Sequence, residues 1–190
     1  MSDLDVDPRV LRTREVVVEA TAQLLTERGF TGITIEAIAE RCGVARSTIY
    51  RNWPDRGRLF VEGFEQLCAL PIQPASGTLE FDLRQLGHEF AAGLSNADWG
   101  RCLPSLVGAV EYDPELAEAQ ADFSRRRHAV IASVFSEAMQ RGEIDEDLDP
   151  DSLAELWAAP FFLRRLMSHR PLDDVFIEHQ IALVLRTVRR

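Results

Sequence analysis

Residues 34–53 read T-I-E-A-I-A-E-R-C-G-V-A-R-S-T-I-Y-R-N-W, and they constrain the fold more than any other stretch. Ile35, Ile38 and Ala39 recur at i, i+3 and i+4, the spacing of one face of a short helix. Gly43 follows where the chain must enter a left-handed turn, which glycine adopts at little cost. Ala39, four residues earlier, falls where two helices cross closely and a larger side chain would push them apart. Beyond the turn, Ile49 points back to the core and leaves Arg46, Ser47, Thr48, Tyr50 and Arg51 facing out. The pattern predicts a helix-turn-helix. Its second helix is polar, cationic and rich in hydroxyls, which suits a DNA major groove, where side chains read base edges and bond phosphates. A helical hairpin inside some other all-helical protein would share the apolar spacing. It would leave the outward Arg, Thr, Tyr, Arg group without a purpose.

The rest of the chain reads as helix too, about nine helices in all and no strand. A first helix is expected from about Arg9 to Arg28, burying Val17, Ala20, Thr21, Leu24 and Leu25 and ending at Gly29. Asp55 is a plausible N-cap for a fourth helix reaching about Leu70, with Phe60, Phe64, Leu67 and Cys68 inward. P-I-Q-P-A-S-G-T, residues 71–78, has the composition of a linker. Thr78 to Ser95 and Asp98 to about Tyr112 read as the fifth and sixth helices. Asp113-Pro114 and Asp149-Pro150 each pair a capping Asp with a first-position Pro, starting helices to about Gln140 and Ser168. Pro160 should kink the latter, since it lacks a backbone donor and clashes with the preceding turn. Pro171 is expected to open a ninth helix running to the C-terminus. The expected organisation is a helix-turn-helix DNA-binding domain over residues 1–54, a connecting helix over 55–70, and a further helical domain over 71–190.

At 190 residues and 46% hydrophobic, the chain is long enough and apolar enough to bury a core. No apolar run reaches the roughly 18 residues of a membrane span. The acidic start M-S-D-L-D-V-D-P lacks the apolar core of an export signal, which points to the cytoplasm. Cys42, Cys68 and Cys102 are odd in number and far apart, as suits a reducing compartment without disulfides. Cys42 and Cys68 fall on apolar faces and read as small core residues. A net charge of −10 looks wrong for a DNA binder until it is mapped. Residues 9–58 carry nine Arg against six acidic residues, whereas residues 59–190 carry twelve Arg against 22. Only the N-terminal part can make an electrostatic footprint on DNA, and the acidic remainder favours docking by one end. The chain has no Lys, so every fixed cation is an Arg, able to fork phosphates and guanine edges.

Other charged groups argue for less. The loop G-E-I-D-E-D-L-D-P, residues 142–150, alternates Asp145, Asp147 and Asp149 as a calcium loop does. Pro150 stands where that loop needs Gly and Leu156 where it needs Glu, so it reads as a solvated turn with capping aspartates. Arg125, Arg126 and Arg127 read as a solvated or salt-bridging face. His88, His128, His169 and His179 show no metal-ligand spacing. No catalytic triad, phosphate loop or paired carboxylates appear. Neither an enzyme, a cofactor nor a metal is expected. Residues 157–167 and 175–188 are apolar around much of their circumference, as in helices buried on more than one side. A second copy of the chain is the simplest cover.

R-T-R-E-V-V-V-E-A-T-A-Q-L-L-T-E-R-G-F, I-A-E-R-C-G-V-A-R-S-T-I-Y and W-P-D-R-G-R-L-F, in this order over residues 12–60, together resemble the N-terminal domain of the tetracycline-repressor (TetR) family. The stretch P-F-F-L-R-R-L-M-S-H-R-P-L-D-D-V-F also looks like the C-terminal domain of one TetR subgroup. The resemblance implies a homodimeric regulator, paired through its last two helices as a four-helix bundle. It further implies binding to a palindromic duplex operator and release by a small molecule. An enzyme or carrier that borrowed the hairpin is the contrasting reading, and regulation by a protein partner or by cysteine oxidation is another.

By that resemblance Thr34 caps the second helix near a phosphate, and Arg46, Ser47, Thr48, Tyr50, Arg51 and Asn52 take recognition-helix positions. Thr48 and Tyr50 match backbone contacts, and Arg46 and Arg51 are the candidates for base reading. Arg56 replaces the family's usual Lys at a phosphate contact. Two positions depart from the pattern. Ala45 stands where Ser is common, so the recognition helix lacks a side-chain cap, and Trp53 stands where Phe is usual and reads as core. For the family's ligand pocket, Phe90, Trp99, Cys102, Phe123, His128, Trp157 and Phe161 are the candidates, although aromatic residues at helical spacing serve equally well as core. An apolar or aromatic effector is expected, because few convergent polar groups appear.

Overall fold

The computed structural model describes residues 8–68, 77–95 and 98–188. They are helical throughout, with nine α-helices and no strand among the described residues. They fall into two compact units, one drawn from residues 1–69 and 97–122, the other from 70–96 and 123–190.

The first unit holds α1 (Pro8–Arg28), α2 (Ile35–Cys42), α3 (Arg46–Asn52), α4 (Arg56–Leu67), α6 (Trp99–Val110) and the first turns of α7 (Pro114–Gln140). Val17, Ala20, Thr21, Leu24 and Leu25 form the buried stripe of α1, packed chiefly against α4. Phe64 is fully buried between Phe30, edge-on at 5.6 Å, and Trp99 at 6.2 Å. The inner face of α4 includes Phe60 and Phe64, but Leu67 and Cys68 at its end are only half-buried. Cys42 is half-buried as well, so neither thiol is the core residue expected of it; Cys102 is the buried one. α4 closes at Leu67 with Cys68 as its C-cap, short of the expected end near Leu70; residues 69 and 70 and most of the 71–78 linker lie outside the described residues.

The second unit holds α5 (Leu79–Ser95), the remainder of α7, α8 (Pro150–Phe162), a π-helical turn (Leu163–Ser168) and α9 (Asp174–Val188). Phe90 stands within 5.5 Å of Trp157, Phe161 and Phe162, and Phe161 also meets Phe176 edge-on at 4.9 Å. The acidic loop works as a set of caps. Glu143 accepts from the Leu79 N–H at 2.7 Å at the start of α5, and Asp149 accepts from the Asp151 and Ser152 N–H groups at the start of α8.

Pro160 lies inside α8, and the helix passes through it before widening into the π-helical turn. An α-helix would use the N–H of residue 160 to satisfy the carbonyl of Leu156; proline has none. The side chain of Gln180 supplies it from α9, its Nε2 donating to the Leu156 carbonyl at 3.1 Å. This accounts for a glutamine only 5% exposed in an apolar seam. Gln180→Leu is therefore expected to cost about 1–3 kcal/mol, because it orphans the part-buried Leu156 carbonyl and removes the buried contact to the Trp157 carbonyl, despite adding apolar surface. Chemical denaturation reads this directly, and an unchanged midpoint would mean that water replaces the amide.

The start of the last helix also differs from expectation. α9 begins at Asp174, not at Pro171. The Asp173 carboxylate accepts from the Phe176 N–H at 2.9 Å, so a capping aspartate decides the start. Pro171 stays outside the helix, its carbonyl accepting from Arg164 at 2.7 Å.

Candidate nucleic-acid interface

α2 and α3 are set by three local devices. Thr34 is extended and its Oγ1 accepts from the Ala37 N–H at 3.2 Å, capping α2. Gly43 closes α2 at φ 70°, left-handed, with its N–H bonded to the Ala39 carbonyl at 2.9 Å. Ile35, Ile38 and Ile49 are buried and pin the pair to the core, with Ala39 half-buried beside them. With about 3.6 residues per turn, fixing Ile49 inward puts Ser47 and Arg51 on the opposite face and Tyr50 to the side, while Arg46 opens the helix three residues before Ile49. All four are exposed. Thr48 and Asn52 flank the core side and are half-buried, and Asn52 turns its amide back onto the Thr48 carbonyl at 2.8 Å. Trp53 is core, 3% exposed, with its indole N–H donating to Glu62 at 2.9 Å and the Arg14 guanidinium 4.5 Å over its ring.

Several arginines of this unit face a carboxylate. Arg46 Nη1 donates to Glu36 at 3.2 Å, and Arg41 forks Glu27 at 2.9 and 2.7 Å. The Glu36 carboxyl is held below the usual carboxylate range, first by its own backbone N–H, then by Arg46, with a smaller part from Thr34. Arg56, first residue of α4, donates to Asp113 at 2.8 Å and to Glu115 at 3.4 Å. That junction is tight because Gly57 follows. A Cβ at Gly57 would lie 2.6 Å from the Glu115 carbonyl oxygen and 2.8 Å from the Leu116 nitrogen, both rigid backbone. Glu36, Asp113 and Glu115 were not among the sequence candidates. Glu36 alone carried a signal, as the acidic residue in the first turn of α2.

These features match known proteins over nearly the whole chain. A family model for the tetracyclin repressor-like C-terminal domain matches residues 73–184, more than half of the chain. A second, for bacterial regulatory proteins of the tetR family, matches residues 17–62, which contain α2 and α3. The chain belongs to the TetR family of transcription regulators. YdeS of Bacillus subtilis, an uncharacterised helix-turn-helix regulator, is 27% identical over 185 residues, 96% of this chain and 92% of that one. A DNA-binding transcriptional repressor TetR from Mycobacteroides abscessus is 28% identical over 192 residues, 94% of this chain and 95% of its own. The crystal structure of the TetR family regulator SCO0332 superposes with a TM-score of 0.76 at 28% identity, covering 94% of this chain and 100% of that one. TetR-family proteins regulate transcription by binding DNA; they are not enzymes. No helix among the described residues of this regulator is long and apolar enough to cross a membrane.

The TetR-family regulator divides its seven pocket candidates between the two units. Phe90, Trp157 and Phe161 form one aromatic cluster in the second unit. Phe123 and His128 lie on α7 in the same unit, Phe123 buried and His128 half-buried with its Nε2 3.1 Å from Asp151. Trp99 and Cys102 belong to the first unit. Burial pushes the Cys102 thiol pKa up, which suppresses the thiolate that oxidation needs. Among the described residues, no group of three or more His, Cys, Asp or Glu is placed to hold a metal ion.

α3 has one local weakness. Ala45 is its N-cap and makes no side-chain cap bond. Ala45→Ser is expected to stabilise the protein by a few tenths to about 1 kcal/mol, by offering a side-chain acceptor to the N–H groups of the first turn of α3. A melting temperature that does not rise would show that the helix end is already satisfied.

Proposed function

We propose that this regulator is a repressor that binds a palindromic operator as a homodimer and is released by a small apolar or aromatic effector. The reading contacts are Thr34, Arg46, Ser47, Thr48, Tyr50, Arg51, Asn52 and Arg56, in a DNA-binding domain over residues 1–54 joined by a helix over 55–70 to an effector and dimer domain over 71–190. One observation carries the reading: α3 buries Ile49 and turns Arg46, Ser47, Tyr50 and Arg51 together to solvent. Arginine forks guanine and phosphate, and hydroxyls bond phosphate, so that face suits a major groove. Repression is supported by the Mycobacteroides abscessus relative, which is named a repressor.

The homodimer is supported by apolar side chains left bare on α8, the π-helical turn and α9. Leu156, Leu163 and Met167 are 46%, 58% and 74% exposed and line up at seven- and four-residue steps; Val175 and Leu183 are bare on α9. An unpaired stripe of this kind marks an interface. An effector is supported by the Phe90, Trp157 and Phe161 cluster, within which the fully buried Trp157 Nε1 has no hydrogen-bond partner among the described residues. An aromatic ligand carrying one acceptor would satisfy it. Release requires tighter effector binding to the form that does not read DNA, a coupling of about 1–3 kcal/mol, with operator weakening effector binding by the same factor.

Selection of bound duplexes from a random library tests the reading. A palindromic product is expected, because a two-fold dimer presents two recognition helices to two half-sites. Enrichment of single, unrepeated sites would defeat the dimeric operator, and no enrichment at all would defeat the operator.

A further inference from the structure

Glu36 is the acidic side chain that faces the outward end of the recognition helix. Its Oε1 accepts from Arg46 Nη1 at 3.2 Å, and the two side chains are 60% and 63% exposed. We propose that Glu36 sets the base preference of α3 by steering Arg46 onto one G·C pair in each half-site. The inference rests on α3 being the helix that reads DNA.

A carboxylate on a DNA-facing surface is repelled by phosphates, so one placed there needs a compensating role. Glu36 is anchored at both ends. Its backbone belongs to the first turn of α2, which Thr34 caps, and its carboxylate bonds across the turn to the first residue of α3. In a helix-turn-helix, the N-terminal residues of the second helix contact base edges. Arg46 is that residue, and its chain is otherwise free to rotate among many conformers. The contact to Glu36 narrows those conformers before DNA arrives.

The chemistry left over after pairing is specific. A guanidinium has five N–H donors, and Glu36 engages one of them. The others still present a fork for guanine O6 and N7, while the remaining lone pairs of Glu36 can accept from a cytosine N4 amine. Acceptors from guanine and a donor from cytosine occur together on one G·C pair, in a fixed order across the major groove. An unpaired arginine would tolerate other acceptor edges; the Arg46–Glu36 pair penalises thymine O4 and adenine N7 opposite the carboxylate. Arg51 provides the internal contrast. It is exposed as well, five residues further along α3, and makes no ion pair among the described residues, so Glu36 should not affect its base.

The pair is exposed, so its effect is modest, and a change of preference is expected in place of a loss of binding. Random-library selection on the wild type, Glu36→Ala, Arg46→Ala and the double variant separates the possibilities. Glu36→Ala should lower the preference for G·C about two- to fivefold at one position of each half-site, leave the other positions unchanged, and not weaken binding to unrelated DNA. In the Arg46→Ala background it should change nothing at that position. Unchanged preference in Glu36→Ala overturns the proposal, as does an equal shift with and without Arg46, or a uniform loss over all sequences. A wild type that enriches no sequence overturns the operator reading instead, and this inference with it.

Discussion

Leu163→Glu combined with Met167→Glu is expected to leave the protein at 21.4 kDa in solution and to reduce operator binding to that of a single half-site, while the wild type sediments at twice that mass. Both residues are bare in a single chain, 58% and 74% exposed, so the substitution should not disturb the fold of the protomer. In a two-fold interface each substitution occurs twice, facing its symmetry mate or a neighbour. An unpaired charge trapped in such a surface costs about 2–5 kcal/mol, and four of them exceed what an ordinary interface can offset. The stripe formed by Leu156, Leu163 and Met167, with Val175 and Leu183, should belong to an obligate surface of roughly 2,000 Å² or more. Loss of the dimer removes the second reading head, so affinity for a palindrome falls to that of one half-site. Sedimentation at micromolar concentration and fluorescence anisotropy on the selected operator check both parts. A double-glutamate variant that stays dimeric places the interface elsewhere, and a wild type found only at 21.4 kDa ends the homodimer reading.

Arg56→Ala is expected to weaken binding to every sequence alike and to reduce the slope of log affinity against log salt by about one unit. The residue begins α4 with its guanidinium half exposed and shared between Asp113 and Glu115. A phosphate would have to compete with those carboxylates. The opposite change follows from the same geometry: Asp113→Asn with Glu115→Gln should tighten binding to all sequences by up to about fivefold, since exposed pairs are worth roughly 0.2–1 kcal/mol. Asparagine is chosen because the Asp113 Oδ1 also accepts from the Leu116 N–H at 3.3 Å and an acceptor must remain there. Titrations over a range of salt, on the operator and on unrelated duplex, give both quantities. A change in preferred sequence, with the salt slope intact, would make Arg56 a base reader and not a phosphate contact.

The parts legible without coordinates were the ones that a few neighbouring residues decide. Thr34 as cap, Gly43 at positive φ, Ile49 turned inward and Ala45 without a cap bond all follow from spacing and side-chain type within a dozen residues. The aspartate starts of α4 and α8 are local in the same way, and the apolar stripe of α1 follows from its period. Pro171 marks the start of α9 three residues too early, because a proline only permits a helix start while the Asp173 carboxylate, accepting from the Phe176 N–H, fixes it.

Tertiary structure decided everything that depends on residues far apart in the chain. The pairing of Arg56 with Asp113 crosses 57 positions, and the bond from Gln180 to the Leu156 carbonyl crosses 24. No periodicity encodes which carboxylate meets which arginine, because both are polar surface residues until the helices pack. The same holds for the aromatic residues: side-chain type marks Phe90, Trp99 and Trp157 alike as buried, but packing alone assigns Trp99 to Phe64 in one unit and joins Phe90 to Trp157 in the other. Local sequence thus determined the helices and the reading hairpin, since their hydrogen bonds close within four residues; long-range packing determined the partners, since loop closure can bring any two exposed helices together and only the buried surface selects which.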